Sequence, residues 1–204
     1  MMGYTAIIDY EVGNLKSVSN ALTYLGEDSE ITSDARRLEL ADAIILPGVG
    51  AFPDAAEKLR ESGLRQALLG QVGRKPILGI CLGMQLLFQW GEEGRRCDGL
   101  GLISGGVQRI ETDLKLPHIG WNSLTFPVSS PLFQGLDEGG YVYFVHSYCG
   151  HAVRPEQAAA VTDYGGPVLA AVQDMEKGVF GCQFHPEKSG ETGLAILKNF
   201  VSLH

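Results

Sequence analysis

The sequence has no surplus of positive charge, no long apolar run and no closely spaced pair of cysteines. Its 204 residues include 16 Lys and Arg against 24 Asp and Glu, which gives a formal net charge of −8. A protein that binds nucleic-acid phosphates or an anionic membrane needs a basic surface, so we expect neither kind of partner. With 45% hydrophobic and 20% charged residues, the chain has the composition of a globular protein.

Its apolar segments are too short and too interrupted to cross a membrane. The longest, residues 77–90, contains Gly79, Gly83 and Gln85, whereas a membrane span needs about 20 apolar residues. The first ten residues show neither a basic segment nor a long apolar one, so we expect no signal peptide. The four cysteines form no CxxC pair and no zinc-binding spacing, which favours free thiols. We therefore predict a cytoplasmic protein with no metal site.

Apolar runs alternate with helix signals through the first half of the chain. They predict, in order, a strand at 5–10, a helix at 14–25, a strand at 43–46, a helix at 53–70, a strand at 76–80 and a helix at 82–90. Strands that alternate with helices in this way form right-handed βαβ units around a parallel sheet.

Short apolar runs separated by turn residues occupy most of the second half, and a last helix is predicted at 190–203. These runs lie at 141–148, 158–162, 168–172 and 179–184. They show no helical period, which indicates antiparallel strands added to the parallel core. We predict a single α/β domain over residues 1–204, with three layers, a mostly parallel central sheet and an additional antiparallel portion in the C-terminal half.

Cys81 lies where a predicted strand meets a predicted helix, with Gly79 and Gly83 two residues to either side. This is the pattern of a nucleophile elbow, with cysteine in place of serine. Glycines are favoured there because the sharp turn crowds the backbone against its neighbours. The turn would present the sulfur at the carboxyl edge of the sheet, where open α/β folds bind ligands. The alternative is a buried structural cysteine between two glycines that pack against a helix.

His185 precedes Pro186, which favours an extended backbone at the histidine. Residues two apart in an extended segment point to the same side, so we expect Glu187 to face the same way as His185. A carboxylate there would orient the imidazole, leaving its other nitrogen to act on a thiol. Alone, the segment is more typical of an exposed loop. Combined with Cys81, it predicts a Cys-His-Glu triad for covalent acyl transfer.

At these residues the sequence resembles the class I, or triad-type, glutamine amidotransferases. The matching blocks are LPGVGAF at 46–52, GICLGMQ at 79–85 and QFHPEKS at 183–189. A narrower resemblance is to the glutaminase subunits of imidazole glycerol phosphate synthases, which act in histidine biosynthesis. It is carried by residues 8–18, 117–122 and 143–148 and by Lys188-Ser-Gly. The sequence departs from that pattern at Glu11, where the family has glycine.

The resemblance adds roles for further residues beside the predicted triad. Stabilising the oxyanion of a thioester-forming reaction requires N–H donors, and the backbone of Leu82 is one because it follows the nucleophile at a helix start. The family places the second donor at Val49. The residues that the resemblance implies for glutamine binding are Gly48, Gly50, Gln85, Ser147 and Tyr148. Those that it implies near the synthase partner, where ammonia passes, are Asn14, Trp121, Tyr143 and Lys188.

The activity implied is hydrolysis of L-glutamine to glutamate and ammonia through a Cys81 thioester. Ammonia would pass to a cyclase subunit in a heterodimer, which forms imidazole glycerol phosphate and aminoimidazole carboxamide ribotide. No cofactor is implied, and the sequence has no phosphate-binding GxxxxGK[ST] motif. The alternatives are a glutaminase that serves a different synthase, a cysteine peptidase of the same architecture, and an inactive regulatory or binding homologue.

Overall fold

The computed structural model describes residues 3–151 and 154–204. Its strands are β1 (Thr5–Ile8), β2 (Ser29–Thr32), β3 (Ala43–Gly48), β4 (Ile77–Cys81), β5 (Phe88–Gly91), β6 (Cys97–Asp98), β7 (Ile103–Arg109), β8 (His118–Ser123), β9 (Tyr141–His146), β10 (Tyr148–His151), β11 (Ala158–Asp163), β12 (Pro167–Asp174) and β13 (Val179–Cys182). Its α-helices are α1 (Leu15–Tyr24), α2 (Ala35–Leu40), α3 (Phe52–Glu61), α4 (Leu64–Leu69), α5 (Leu82–Leu86) and α6 (Gly190–Val201).

A seven-stranded sheet forms the middle layer, in the order β11-β12-β13-β4-β3-β1-β2. The pairs from β13 to β2 are parallel, and β11 and β12 add an antiparallel edge. The predicted fold class is thus confirmed. Because β3 and β4 are parallel and in register at Gly48 and Cys81, their carboxyl ends meet at one edge of the sheet.

The alternation of side chains along the buried strands explains the two helical layers. In β1, Ile7 packs on one face with residues of α1 and α6, whereas Ile8 packs on the other with residues of α2 and α3. Successive residues of a strand point to opposite faces, so a strand covered on both sides is apolar throughout. All four residues of β1 are buried accordingly. Within the described ranges, no helix is long and apolar enough to span a bilayer.

Two smaller sheets flank this core. One has the order β10-β7-β5-β6, and on it the guanidinium of Arg96 lies 4.1 Å from the ring centroid of Trp90. The other is an antiparallel ribbon of β8 and β9, in which Trp121 is paired with Tyr143. The ribbon exposes four large apolar side chains: Ile119, Trp121, Tyr141 and Val145.

Several predicted element boundaries are wrong. The helix predicted at 82–90 ends at Leu86, because Phe88–Gly91 pairs as a strand with β7. The helix predicted at 53–70 is divided at Gly63, whose φ of 75° is left-handed. The run at 141–148 contains parts of two strands in different sheets, and the run at 179–184 includes a strand that is parallel to β4. The polar strand β2 and the helix α2 are not predicted.

The glycines beside Cys81 are required by close packing of α5 on the sheet. A Cβ atom at Gly79 would lie 2.6 Å from the carbonyl oxygen of Gly83. A Cβ atom at Gly83 would overlap the carbonyl oxygen of Leu46 in the neighbouring strand β3. Both obstacles are backbone atoms that cannot rotate away. The predicted reason for these glycines, a crowded strand-to-helix turn, agrees with this geometry.

We predict that Gly83→Ala lowers the free energy of unfolding by at least about 2 kcal/mol, because α5 must move away from β3 to accommodate the methyl group. Gly70→Ala is a suitable control, since Gly70 has helical backbone angles and a Cβ there would make an ordinary contact at 3.4 Å. Its effect should stay within about 1 kcal/mol. Urea denaturation of both variants measures this, and equal stabilities would show that α5 shifts freely.

Candidate active site

Cys81 ends β4 and directly precedes α5, in the sharp turn that the sequence predicts. Its backbone angles are φ 55° and ψ −112°, which few residues other than glycine adopt. Such backbone strain is of order 1–3 kcal/mol and persists only where the surrounding structure enforces it. The side chain is largely buried, with 7% of the residue exposed. The turn therefore holds the sulfur at the floor of a cavity rather than on the open surface.

His185 lies just after β13, and main-chain hydrogen bonds fix its position. Its N–H donates to the carbonyl oxygen of Tyr143 at 3.0 Å, and its own carbonyl accepts from Ser189 Oγ at 2.6 Å. Residues 186–188 form a 3₁₀ turn rather than the extended segment that the sequence predicts. The turn nevertheless brings Glu187 Oε1 to 2.8 Å from His185 Nδ1. Both side chains are almost fully buried.

The ionisation of His185 reflects competing effects. Burial lowers its pKa, but the Cys81 thiol and the Glu187 carboxylate beside it together raise the pKa to about 9. Because Nδ1 is used by Glu187, Nε2 is the nitrogen left for a proton from the thiol. Nε2 has no hydrogen-bond partner among the described residues. The His185–Glu187 hydrogen bond thus has the geometry of a base with an orienting carboxylate, and Cys81 lines the same cavity as His185.

Gln85, one turn along α5 from Cys81, uses both amide hydrogens inside the protein. Its Nε2 atom donates to the carbonyl oxygen of Tyr148 and to Gln183 Oε1, each at 3.0 Å. Gln183 Nε2 in turn lies 3.8 Å from Cys81 Sγ. These bonds leave Gln85 Oε1 as the atom of this amide that could contact a ligand.

The segment Pro47–Gly50 follows the end of β3 and borders Cys81. Gly48 is opposite Cys81 in the sheet register, and Gly50 has a φ of 105°. The buried hydroxyl of Tyr10 donates a hydrogen bond to the Pro47 carbonyl oxygen at 2.8 Å. Burial raises the pKa of Tyr10, so it remains a donor. Tyr10 therefore anchors the start of the segment that includes Val49.

Most of the predicted site residues line one cavity of about 380 Å³. It is lined by Cys81 and His185 together with Val49, Gly50, Leu82, Gln85, Ser147 and Tyr148. Glu187 lies behind His185, and Gly48 lies beneath the wall against Tyr10 and Gly83. The prediction missed four further residues of the wall: Glu93, Pro117, Val145 and His146. Of these, Glu93 accepts a hydrogen bond from the N–H of Phe52 at 2.7 Å and so caps α3.

The four residues that the resemblance places near a partner lie outside the cavity. Trp121 is 55% exposed, and its ring packs edge-on against that of Tyr143 at 6.0 Å. The N–H of Tyr143 donates to Ser189 Oγ, one residue from the exposed Lys188. Asn14 directly precedes α1, and its side chain makes no capping hydrogen bond. Trp121 and Tyr143 thus lie next to residues 185–189, the segment that carries both His185 and Lys188.

His118 and His146 form a buried, neutral pair beneath the ribbon. His118 Nδ1 lies 3.2 Å from His146 Nε2, and His146 Nδ1 donates to the Tyr148 carbonyl oxygen at 2.8 Å. Burial lowers the pKa of both rings, to about 4 for His146. In residues 3–151 and 154–204, no cluster of three or more His, Cys, Asp or Glu side chains is arranged to hold a metal ion.

Comparisons with known proteins agree with this geometry. The sequence model of the family described as glutamine amidotransferase class-I matches residues 6–203. The imidazole glycerol phosphate synthase subunit HisH of Caldanaerobacter subterraneus is 50% identical over 195 residues, covering 95% of each chain. The subunit of the same name from Bacillus cereus is 50% identical over 198 residues, covering 96% of this chain and 92% of that one.

Solved structures support the same fold at lower identity. PurLQS from Thermotoga maritima has a TM-score of 0.75 at 21% identity, over 99% of both chains. A glutamine amidotransferase from the same organism has a TM-score of 0.66 at 16% identity, over 99% of this chain and 82% of that one. At such identities the likeness concerns the fold alone.

The buried histidine pair predicts an acid-sensitive stability. In the unfolded chain a histidine has a pKa near 6.5, so below that pH the unfolded state binds a proton that folded His146 accepts only near pH 4. The free energy of unfolding should therefore fall between pH 6.5 and pH 4, by up to roughly 1.4 kcal/mol per pH unit for this group. Denaturation of His146→Gln at pH 7 and pH 5 should show a smaller loss than the parent protein, and equal losses would contradict the assignment.

Proposed function

The chain belongs to the class I glutamine amidotransferase family, and we propose that it is the glutaminase subunit of an imidazole glycerol phosphate synthase in histidine biosynthesis. The proposal is carried by one observation above all: the cysteine and histidine of the family pattern line one cavity, with the glutamate hydrogen-bonded to that histidine, in a chain half identical to such subunits. The substrate is L-glutamine, and the products are glutamate and ammonia.

In the proposed reaction Cys81 attacks the side-chain carbonyl carbon of glutamine. His185 Nε2 takes the thiol proton before attack, so that a thiolate forms the C–S bond, and Glu187 stabilises the imidazolium through Nδ1. Collapse of the tetrahedral intermediate breaks the C–N bond. The nitrogen leaves as ammonia with the proton that His185 returns. The near-complete burial of the His185 and Glu187 side chains strengthens their interaction, because little water screens it.

Hydrolysis of the glutamyl thioester repeats the sequence with water as the nucleophile. His185 accepts a proton from water as the C–O bond forms and a second oxyanion develops. Its collapse breaks the C–S bond and releases glutamate, which leaves the Cys81 thiolate and protonated His185 ready for the next cycle. Each oxyanion is stabilised by the backbone N–H groups of Leu82 and Val49, which follow the ends of β4 and β3. The parallel pairing of those strands supports this assignment, because it brings both segments to the same edge of the sheet.

Neutral groups dominate the wall that would receive the substrate. The proposed contacts are the backbone of Gly50, Ser147 and Tyr148 and the Gln85 side chain, whereas Gly48 supports the wall from beneath. Since both Gln85 amide hydrogens are already donated within the protein, its Oε1 atom is assigned as an acceptor for a substrate N–H group. Such a contact would favour the carboxamide or ammonium groups of glutamine over a carboxylate.

The partner in this proposal is a cyclase subunit, bound as a heterodimer in the cytoplasm. Its contact surface is the exposed apolar side of the ribbon together with Asn14 and Lys188. Exposed tryptophan and tyrosine side chains are typical of protein interfaces, and Trp121 and Tyr141 are both more than half exposed. Ammonia would leave past Tyr143, whose carbonyl oxygen binds the His185 N–H.

Cys81→Ser is expected to abolish glutamine-dependent product formation by the complex while leaving ammonia-dependent synthesis by the partner intact. The reason is that the nucleophile serves ammonia release alone. Both activities are measured on the purified complex with glutamine or an ammonium salt as the nitrogen source. Cys97→Ser is the matched control, because that thiol lies outside the Cys81 cavity and should leave both activities unchanged. Loss of both activities in a folded Cys81→Ser complex would contradict the proposed division of labour.

Glu187→Gln should reduce glutamate release less than His185→Ala does. A glutamine oxygen can still accept the Nδ1 hydrogen, so the base keeps its orientation but loses electrostatic support. We expect a loss of about 10- to 100-fold for Glu187→Gln and about 1000-fold or more for His185→Ala. Glu191→Gln is a control, since this exposed residue lies in the first turn of α6. Equal losses for the two active-site variants would indicate a larger role for Glu187.

A further inference from the structure

Gln183 is a fully buried side chain that connects Gln85 to the sulfur of Cys81. It is 0% exposed, and its backbone N–H is bound to the Ala170 carbonyl oxygen at 2.8 Å. Its Oε1 atom accepts from Gln85 at 3.0 Å, and its Nε2 atom lies 3.8 Å from Cys81 Sγ. It does not line the cavity, so it has no direct route to a bound substrate.

The orientation of the Gln183 amide follows from its neighbours. The Tyr148 carbonyl can only accept a hydrogen bond, so the group that Gln85 directs at it must be the NH₂. The second hydrogen of that NH₂ meets Gln183, which must therefore present its oxygen. The nitrogen of Gln183 is then left facing the sulfur. An amide nitrogen donates and does not accept, so the sulfur is the acceptor in this contact.

We propose that Gln183 is a positioning residue that holds the Cys81 sulfur and stabilises its thiolate form by hydrogen-bond donation. A hydrogen bond to an ionised group is stronger than one to its neutral form, so a donor fixed at this place favours ionisation of the thiol. The inference rests on the proposed function, because it assumes that Cys81 is the nucleophile. Gln183 would thus activate the Cys81 thiol in addition to His185, from a position two residues earlier in the chain.

The contribution of Gln183 can be measured separately, because the other groups near Cys81 act differently. His185 lines the same cavity as Cys81 and is itself supported by Glu187, while the Tyr10 hydroxyl is already donated to the Pro47 carbonyl oxygen. Gln183 is thus the neutral side-chain donor that the described residues direct at the sulfur. In Gln183→Glu the shape is kept, but both oxygens are acceptors. The sulfur would then face negative charge instead of an N–H group.

The test is the pH profile of Cys81 alkylation by iodoacetamide in the isolated, full-length chain. Peptide mapping by mass spectrometry follows Cys81 separately from Cys97, Cys149 and Cys182. We expect the midpoint of the profile to move up by about one pH unit in Gln183→Met and further in Gln183→Glu, since thiolate is the reactive form. At a fixed pH below both midpoints, a shift of one unit means about a tenfold slower reaction.

Gln173→Met is the matched control. Gln173 is a buried glutamine on the adjacent strand β12, and its Nε2 atom donates to the Ser129 carbonyl oxygen at 3.0 Å. Its replacement also removes a buried amide but should leave the Cys81 midpoint in place. If the Gln183 variants do not fold, Gln85→Leu provides the second measurement. It frees Gln183 to rotate and should move the midpoint in the same direction by a smaller amount.

Two results would overturn the inference. One is an unmoved midpoint in folded Gln183→Met and Gln183→Glu, and the other is a shift of equal size in Gln173→Met. Neither result depends on glutamine or on a partner, whereas failure of the proposed function would appear as a parent complex that does not release glutamate. In an active complex, Gln183→Met should lower kcat with little change in KM, because Gln183 does not border the substrate.

Discussion

The close approach of α5 to β3 is the constraint on which the rest of the site depends. It is permitted by Gly83, which packs against the Leu46 carbonyl, and by Gly79 beneath it. With the helix held this near the sheet, the chain must turn sharply at Cys81, and the residue takes a backbone conformation that it would otherwise avoid. The sulfur, the start of α5 and the Pro47–Gly50 segment are then brought together by backbone packing, to which the Tyr10 side chain adds an anchor at Pro47.

Buried polar groups then fix the directions of the catalytic atoms. Glu187 binds His185 Nδ1, so that Nε2 is the ring nitrogen left for the thiol. The Tyr148 carbonyl accepts from the NH₂ group of Gln85 and so fixes the orientation of that amide. A buried donor or acceptor without a partner destabilises the fold, so each member of such a network restricts the orientation of the next. The same Tyr148 carbonyl also accepts from His146, which joins the cavity to the ribbon. The network thus stabilises the fold and also orients the groups of the site.

The sequence predicted the parts that depend on local pattern. The parallel core and the nucleophile elbow could be inferred before any contact was known. Their signals, the apolar runs of β1 and β3 and the glycines that flank Cys81, are visible within short stretches of sequence. Element ends were harder, because Phe88 belongs to a strand only through its pairing with Ile103 of β7, which no pattern within residues 82–90 reveals. The polar strand β2 has no apolar signature, since it lies at the edge of the sheet.

The site shows the same division between local and distant information. His185 and Glu187 lie two residues apart and could be paired from spacing, and the same spacing of two also points back to Gln183. Glu93 reaches the cavity from the turn between β5 and β6 and His146 from β9, and no local pattern marks them. Glu11, the one departure from the family pattern, has a φ of 66°, which explains why glycine is usual there.

The chain's two tryptophans lie in contrasting surroundings, and this has an optical consequence. Trp90 is covered by the guanidinium of Arg96 in the four-stranded sheet, whereas Trp121 stands largely exposed on the ribbon. The emission of an indole shifts to shorter wavelength when water leaves its surface. Intrinsic fluorescence of the native chain therefore contains a solvent-sensitive component from Trp121 on the ribbon, together with a second component from Trp90 in another sheet. The fold provides its own reporter of events at that face without any attached label.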